Sequence, residues 1–362
     1  MFTSDSLPFY AKLSLNLVTI SLLATILYLG KGILVPFFFS VLLATLLLPV
    51  TNLLQRWRFP KVLAILVTIF IALALLAGVL YFLSFQISIF LEDFDTIKQR
   101  ISELVQNFQN WINSTFHISK VQQKEYLEDT AKNIQDSGPS VLGKTVGTIT
   151  ESLSYLVFLP VYTFLILYYK DLIRKFFISV FSRSESDKVG EVLFQARTIG
   201  RDYILGLLID MTIVFALNSV GFLILGIKYP IFLALVAAIL NLIPYIGMLI
   251  ANIFTILITI VSSENMYDAV WAAVVLAVVQ FIDNNFLIPM IVGNKVRINA
   301  LVTIVGVVIG GALCGVGGMF LAIPAVATLK VIFDNVADLK PWGMLLGDDV
   351  KDEKDKRKEP IV

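Results

Sequence analysis

Long apolar runs, nearly free of charge, alternate along this chain with short charged segments. Residues 13–29 form a first run, and Gly30-Lys31-Gly32 is expected to break it from a second over 33–54, which carries Pro36 and Pro49. The basic cluster Arg56, Arg58 and Lys61 follows, then a third run over 62–90. Apolar stretches of about 18 residues or more without charge predict membrane-spanning helices. From Leu91 the pattern turns polar. Phe94, Ile97, Ile101, Leu104, Phe108 and Trp111 recur at alternating three- and four-residue spacing, which predicts an amphipathic helix. Ser119 with Gln122 reads as a capping box for a second short helix ending before Gly138-Pro139, and His117 as an exposed residue between them. Residues 91–150 are therefore expected to be a small helical insert outside the bilayer.

The fourth span is expected over 153–169. A basic loop follows, with Lys170, Arg174, Lys175, Arg183, Lys188, Arg197 and Arg201, and then a fifth span over 203–227. Two segments are too long for one crossing. Residues 230–261 as a single helix would reach roughly 48 Å against a hydrocarbon core of about 30 Å, and 298–333 would reach further. Each is interrupted at its middle, the first by NLIPYIG (Asn241 to Gly247), the second by GGALCGVGG (Gly310 to Gly318). An ordinary span, 268–292, lies between them.

Charge decides how these segments thread. Lys and Arg concentrate in cytoplasmic loops. If each broken segment crossed once, Lys295 and Arg297 would lie outside and the Lys/Arg-free loop SSENMYD (262–268) inside. If each enters and returns on the same side, every short loop obeys the rule, with both termini cytoplasmic. The hairpin threading is therefore expected, and it makes an inverted repeat: span five with its hairpin runs opposite to span 268–292 with its own. Gly/Pro-interrupted segments at matching places in two halves point to a transporter's substrate site, because broken helices free backbone groups near the midplane.

Composition agrees. Hydrophobic residues are 57% of 362 and charged residues 15%, against roughly 25% charged in soluble domains. This is the composition of a polytopic α-helical membrane protein. The net charge of +1 gives no reason to expect nucleic acid. One cysteine, Cys314, and one histidine argue against a disulfide framework and a Cys/His metal site. GPSVLGKT (Gly138 to Thr145) matches the phosphate-loop pattern G-x-x-x-x-G-K-[ST]. That motif needs a buried strand before it, and here a charged helical stretch precedes it, so the match is read as a helix start near the membrane. The N-terminal apolar run is full length and reads as a span, not a cleaved signal.

The segments PFFFSVLLATLLLPV near the start, Asn241-Leu-Ile-Pro-Tyr-Ile-Gly247, QFIDNNFLIPMIVG (Gln280 to Gly293) and GGALCGVGGMFLAIPAVATLK (Gly310 to Lys330) resemble the autoinducer-2 exporter family of bacterial permeases. Met248 stands where that family usually has proline or a similar residue after IPYIG. The resemblance implies a transporter of about eight membrane segments in the bacterial inner membrane. It further implies export of the quorum-sensing molecule autoinducer-2, or sodium or lithium/proton antiport.

An ionised carboxylate inside a bilayer is costly and marks a functional candidate. The C-terminal half has two within spans, Asp210 and Asp283. Gln280, Asp283 and Asn284 share a helix face at i, i+3, i+4 spacing, Asn218 lies two turns beyond Asp210, and Asn241 marks the first break. With Pro244, Gly247, Pro289, Gly310, Gly311, Cys314, Gly315, Gly318 and Pro324, these form the expected solute or coupling-ion pathway. Against this, Asp283 could cap a neighbouring helix and Asp210 could meet water at the cytoplasmic edge. Hard oxygen ligands suit H⁺, Na⁺ or a hydroxylated solute. No catalytic residue, cofactor or resident metal is expected.

The expected organisation is a three-span scaffold (1–90), the insert (91–150), the fourth span with its basic loop (151–202), a transport core (203–335) and a charged disordered tail (336–362). Expected partners are membrane lipid and a small polar solute or monovalent cation, with a homo-oligomer left open and neither nucleic acid nor nucleotide. A secondary transporter is the leading reading. A channel-like or structural membrane protein is the alternative, and an enzyme is not expected.

Overall fold

The structure is a computed structural model that describes residues 8–116, 138–180, 186–243, 246–263, 265–291 and 298–347, with backbone alone at 9, 138–156, 186–187, 246 and 266. The expected helix around Ser119 and Gln122, His117, Pro244, Lys295, Arg297 and residues 348–362 of the expected disordered tail lie outside the described residues. Residues 337–346, also within that expected tail, are instead a 3₁₀ turn and a short helix. Among the described residues every regular element is a helix. They are α1 (Phe9–Arg56), α2 (Lys61–Glu92), α3 (Phe94–Phe116), α4 (Gly138–Val180), α5 (Ser186–Ile224), α6 (Pro230–Leu240), α7 (Ile246–Ser262) and α8 (Met266–Ile282). After α8 come a π-helical turn (Asp283–Leu287), α9 (Ile288–Ile291), α10 (Ala300–Asn335), a 3₁₀ turn (Ala337–Leu339) and α11 (Lys340–Leu346). Among the described residues, five stretches are long and apolar enough to cross a membrane by length and composition alone: Tyr10–Arg56, Lys61–Glu92, Lys188–Ile224, Tyr267–Ile291 and Ala300–Asn335. Two shorter apolar helices, α6 and α7, join them.

The N-terminal expectation needs correction. The Gly30-Lys31-Gly32 break between a first and a second span is absent, and α1 is one helix of 48 residues through both. A glycine in a helix interior costs only about 1 kcal/mol relative to alanine, too little to stop a helix with strong formers on both sides. The placement of the N-terminus in the cytoplasm rested on two crossings there, and it loses that support.

The chain divides into two compact units. The first comprises residues 1–66, 155–204 and 295–362, the second 67–154 and 205–294. The stretch expected as one transport core is thus shared out, with the second hairpin in the first unit and the first hairpin in the second.

In the first unit the second hairpin is present, hidden inside a helix of 36 residues. Gly315 takes φ 64°, ψ −153°, which no helix accommodates and which glycine alone adopts freely. The chain reverses there. A side chain on Gly310 would collide with the Gly318 carbonyl, one on Gly318 with the Gly310 carbonyl, and one on Gly306 would touch Val326. The two arms therefore lie backbone to backbone, about 22 and 30 Å long at 1.5 Å per residue. The hairpin packs on α1: Phe39 stacks on Phe320 with ring centroids 5.4 Å apart, and a Cβ on Gly317 would press on Val35. Asn299 fixes its start, accepting from the Val302 amide at 2.8 Å and donating to the carbonyls of Leu345 and Gly347 at the end of α11.

In the second unit α6 and α7 form the first hairpin. Phe232 and Phe254 sit edge to face at 6.2 Å, each eleven residues from Ile243, so the arms are antiparallel about a tip at that residue. The core here gathers Phe90, Ile97, Phe222, Tyr229, Phe232, Leu233 and Leu276. Gly221 lets α5 approach α8, since a Cβ there would press on Val275.

The expected stripe on α3 is a helix face, but only Ile97 of it is buried; Phe94, Ile101, Leu104, Phe108 and Trp111 are exposed. A one-residue joint, Asp93, separates α2 from α3, and its carboxylate pairs with Lys228 at 2.8 Å and accepts from the Tyr229 hydroxyl.

Candidate functional site

The second unit assembles its polar residues at the tip of the first hairpin. The tip forms because Asn241, Leu242 and Ile243 continue α6 as a tight turn, their amides donating to Ala237, Ile239 and Leu240. Gly247 then starts the return arm, where any side chain would collide with the Leu240 carbonyl. Asn241 thus ends an apolar helix with its side chain free to reach neighbours.

It reaches two carboxylates at once. Asn241 Nδ2 donates to Asp283 Oδ2 at 3.0 Å and to Asp210 Oδ2 at 3.4 Å. Asp210 stands on α5 and Asp283 at the end of α8, and the two are 5% and 1% exposed. Gln280 Nε2 donates to Asp283 Oδ2 at 3.3 Å and to Asn284 Oδ1 at 3.1 Å. The other oxygens of the pair, both Oδ1 atoms, are buried and have no hydrogen-bond partner among the described residues, and neither has Asn218 Oδ1. Asn218, Asn241, Asn252, Gln280 and Asp283 share a cavity of about 10 Å³, room for one water-sized occupant.

The π-helical turn begins at Asp283. Such widened turns recur at functional sites because they re-aim side chains and loosen the backbone ladder. Here Asp283 is buried while Asn284 and Asn285 are exposed, and Asn285 Nδ2 folds back to the Phe281 carbonyl at 2.8 Å. The expected common face of Gln280, Asp283 and Asn284 is therefore split, with Gln280 bridging its halves.

Of the expected pathway residues, Asp210, Asn218, Asn241, Gly247, Gln280 and Asp283 come together, with Asn284 joined through Gln280. Pro289 is exposed on α9. Gly310, Gly311, Cys314, Gly315, Gly318 and Pro324 belong to the second hairpin in the first unit, where Pro324 is buried in the returning arm and Cys314 adjoins the tip. Asn252 was not singled out from the sequence. It begins a polar stripe, Asn252, Thr255 and Thr259, along the otherwise apolar α7, and Thr255 and Thr259 are buried. That stripe was readable in the sequence.

Five polar side chains around a water-sized space, one of them the Asp283 carboxylate, with the Asp210 carboxylate joined to them through Asn241, can hold a proton or a desolvated cation. Among the described residues, no group of three or more His, Cys, Asp or Glu is placed so that it could hold a metal ion.

The profile of a family described as AI-2E family transporter matches residues 17–338. The chain belongs to that family. It is similar to "Putative transport protein YrrI" of Bacillus subtilis, 27% identical over 313 residues that cover 83% of this chain and 86% of that protein. It is also similar to "Putative transport protein YueF" of the same organism, 24% identical over 315 residues, covering 83% and 85%. "Putative permease PerM" of Escherichia coli K12 is 27% identical over 318 residues, covering 85% and 88%. This AI-2E family member is thus a multi-pass helical membrane protein of a transporter family.

Proposed function

We propose that this AI-2E family member is a secondary transporter in which Asp210 and Asp283 form the coupling site. It either exports a small polar solute such as autoinducer-2 or exchanges Na⁺ or Li⁺ for protons. The observation that carries the reading is the meeting of two buried carboxylates on one amide at a hairpin tip, with an unpartnered oxygen left on each. Two full negative charges in an apolar interior carry a large desolvation cost and repel each other. Either a proton shared between them or a cation among their free oxygens removes that cost. Both occupants use the same oxygens and so exclude one another, which is the requirement for coupling an ion gradient to movement.

The size of the space favours an ion over an organic solute at this spot. A solute path would open with the hairpins, whose interrupted backbones supply polar groups where lipid cannot. The charge pattern of the loops places the 262–268 loop outside and the C-terminus in the cytoplasm of a bacterial inner membrane. The wild-type protein in sealed proteoliposomes, under an imposed pH or Na⁺ gradient, is expected to accumulate or extrude one member of a panel of polar solutes and alkali cations. Flux equal to that of protein-free vesicles for every member would favour a structural role.

A further inference from the structure

The first unit contains a second, larger cavity that the transport reading does not use. It measures about 390 Å³ and opens between the C-terminal half of α1, the end of α4 and the start of α5. That volume lies within the range of small-ligand sites, about 300–1,000 Å³. Its inner wall is apolar, with Leu48 and Leu167 buried and Phe177 and Phe194 flanking the opening. Its rim is cationic: Lys170, Arg174 and Arg197 line it against a single carboxylate, Asp171.

That carboxylate is engaged elsewhere, with Lys61 at 3.7 Å. Lys170 Nζ donates to a neutral acceptor, Asn52 Oδ1, at 3.0 Å. Among the described residues no carboxylate lies within ion-pair distance of Arg174 or Arg197. The cavity therefore carries excess positive charge at its mouth and hydrocarbon behind it. Arginine guanidinium groups match phosphate oxygens in bidentate geometry. Apolar walls between spans suit an acyl chain, and basic pockets between spans on the cytoplasmic side are where anionic headgroups bind.

We infer that this cavity is a binding site for an anionic phospholipid, its phosphate held by Lys170, Arg174 and Arg197 and its acyl chain lying against Leu48 and Leu167. Gly190, on the α5 side, offers an independent handle. Nothing lies within 4 Å of where its Cβ would be, so a larger residue there projects into open space and fills the cavity without changing its charge.

The test is native mass spectrometry of the full-length protein, delipidated in mild detergent and mixed with phosphatidylglycerol or phosphatidylcholine. The wild type should retain phosphatidylglycerol in preference to phosphatidylcholine. The double variant Arg174→Gln/Arg197→Gln should lose that retention by about tenfold or more. Gly190→Leu should lose it with the rim charges intact, and Lys12→Gln, at the far end of α1, should retain it. Equal retention of the two lipids by the wild type, or undiminished phosphatidylglycerol on both cavity variants, would overturn the inference. Displacement of the lipid by millimolar inorganic phosphate would assign the rim to a soluble anion and overturn the lipid assignment.

Discussion

Asn241 is the residue on which the polar site turns, because one amide nitrogen serves both carboxylates. Removing it leaves the two buried carboxyl groups without the one donor they share. Groups that orient ion ligands in this way typically contribute about 10- to 100-fold in affinity. Asn241→Ala is therefore expected to weaken coupling-ion affinity by that order while the chain still inserts, as measured by the ion concentration for half-maximal flux. Unchanged half-saturation would remove Asn241 from the site. A second residue-scale device sits outside the membrane, at the joint between α2 and α3. The Asp93 carboxyl is held below its ordinary range, first by its hydrogen bond from Lys228 and next by that from Tyr229. Lys228 is raised by the same contact. A carboxylate whose folded-state pKa is depressed contributes stability above its unfolded value, and that contribution disappears as pH falls through the folded value. Thermal unfolding of Asp93→Asn should thus fall below wild type at neutral pH and converge with it in acid. A gap that persists or widens in acid would mean that the aspartate acts through something other than its charge.

Each hairpin element rests on glycines whose missing side chains let two backbones touch. Gly318→Ala would drive a methyl group into the Gly310 carbonyl, and overpacking of this kind typically costs about 1–3 kcal/mol. Lower melting temperature and yield are expected, and a wild-type melting temperature would contradict the close approach. Cys314 precedes the reversal at Gly315 and is half-buried. Small hydrophilic thiol reagents should label it slowly, at a rate that changes with substrate or an ion gradient in actively transporting protein, and inertness under all conditions would leave it a packing residue. GPSVLGKT forms the opening turns of α4, so Lys144→Ala should leave transport intact, and saturable ATP binding lost in that variant would contradict this. Both breaks were legible because an apolar run too long for one crossing contained a Gly- or Pro-rich interruption at its centre. Their closure into antiparallel arms is the local consequence. What stayed hidden were effects that local pattern does not encode. Asn241 meets partners 31 and 42 positions away, which only packing brings together. The π-helical turn at Asp283 rotates Asn284 out of the face its spacing assigned it. The continuity of α1 through Gly30 and Gly32 reflects how weakly two glycines oppose a long helix.

Taken whole, the molecule is a helical membrane protein of a transporter family with two broken hairpins and a buried acidic pair. Sidedness belongs here. A cysteine at Ser263 should react with an impermeant thiol reagent from outside the cell, and one at Asp338 only from inside, because the basic loops and the hairpin threading place them so. Both reacting from one side would remove the threading. The claim on which the rest depends is that Asp210 and Asp283 exchange a proton for the transported or coupled species. Its most direct measurement is the collapse of an imposed pH gradient in sealed proteoliposomes on addition of Na⁺, Li⁺ or the active solute. Wild type would be compared with Asp210→Asn and Asp283→Asn at matched protein content. Collapse is expected in the wild type and none in either variant. Variants that collapse the gradient at the wild-type rate would contradict the claim.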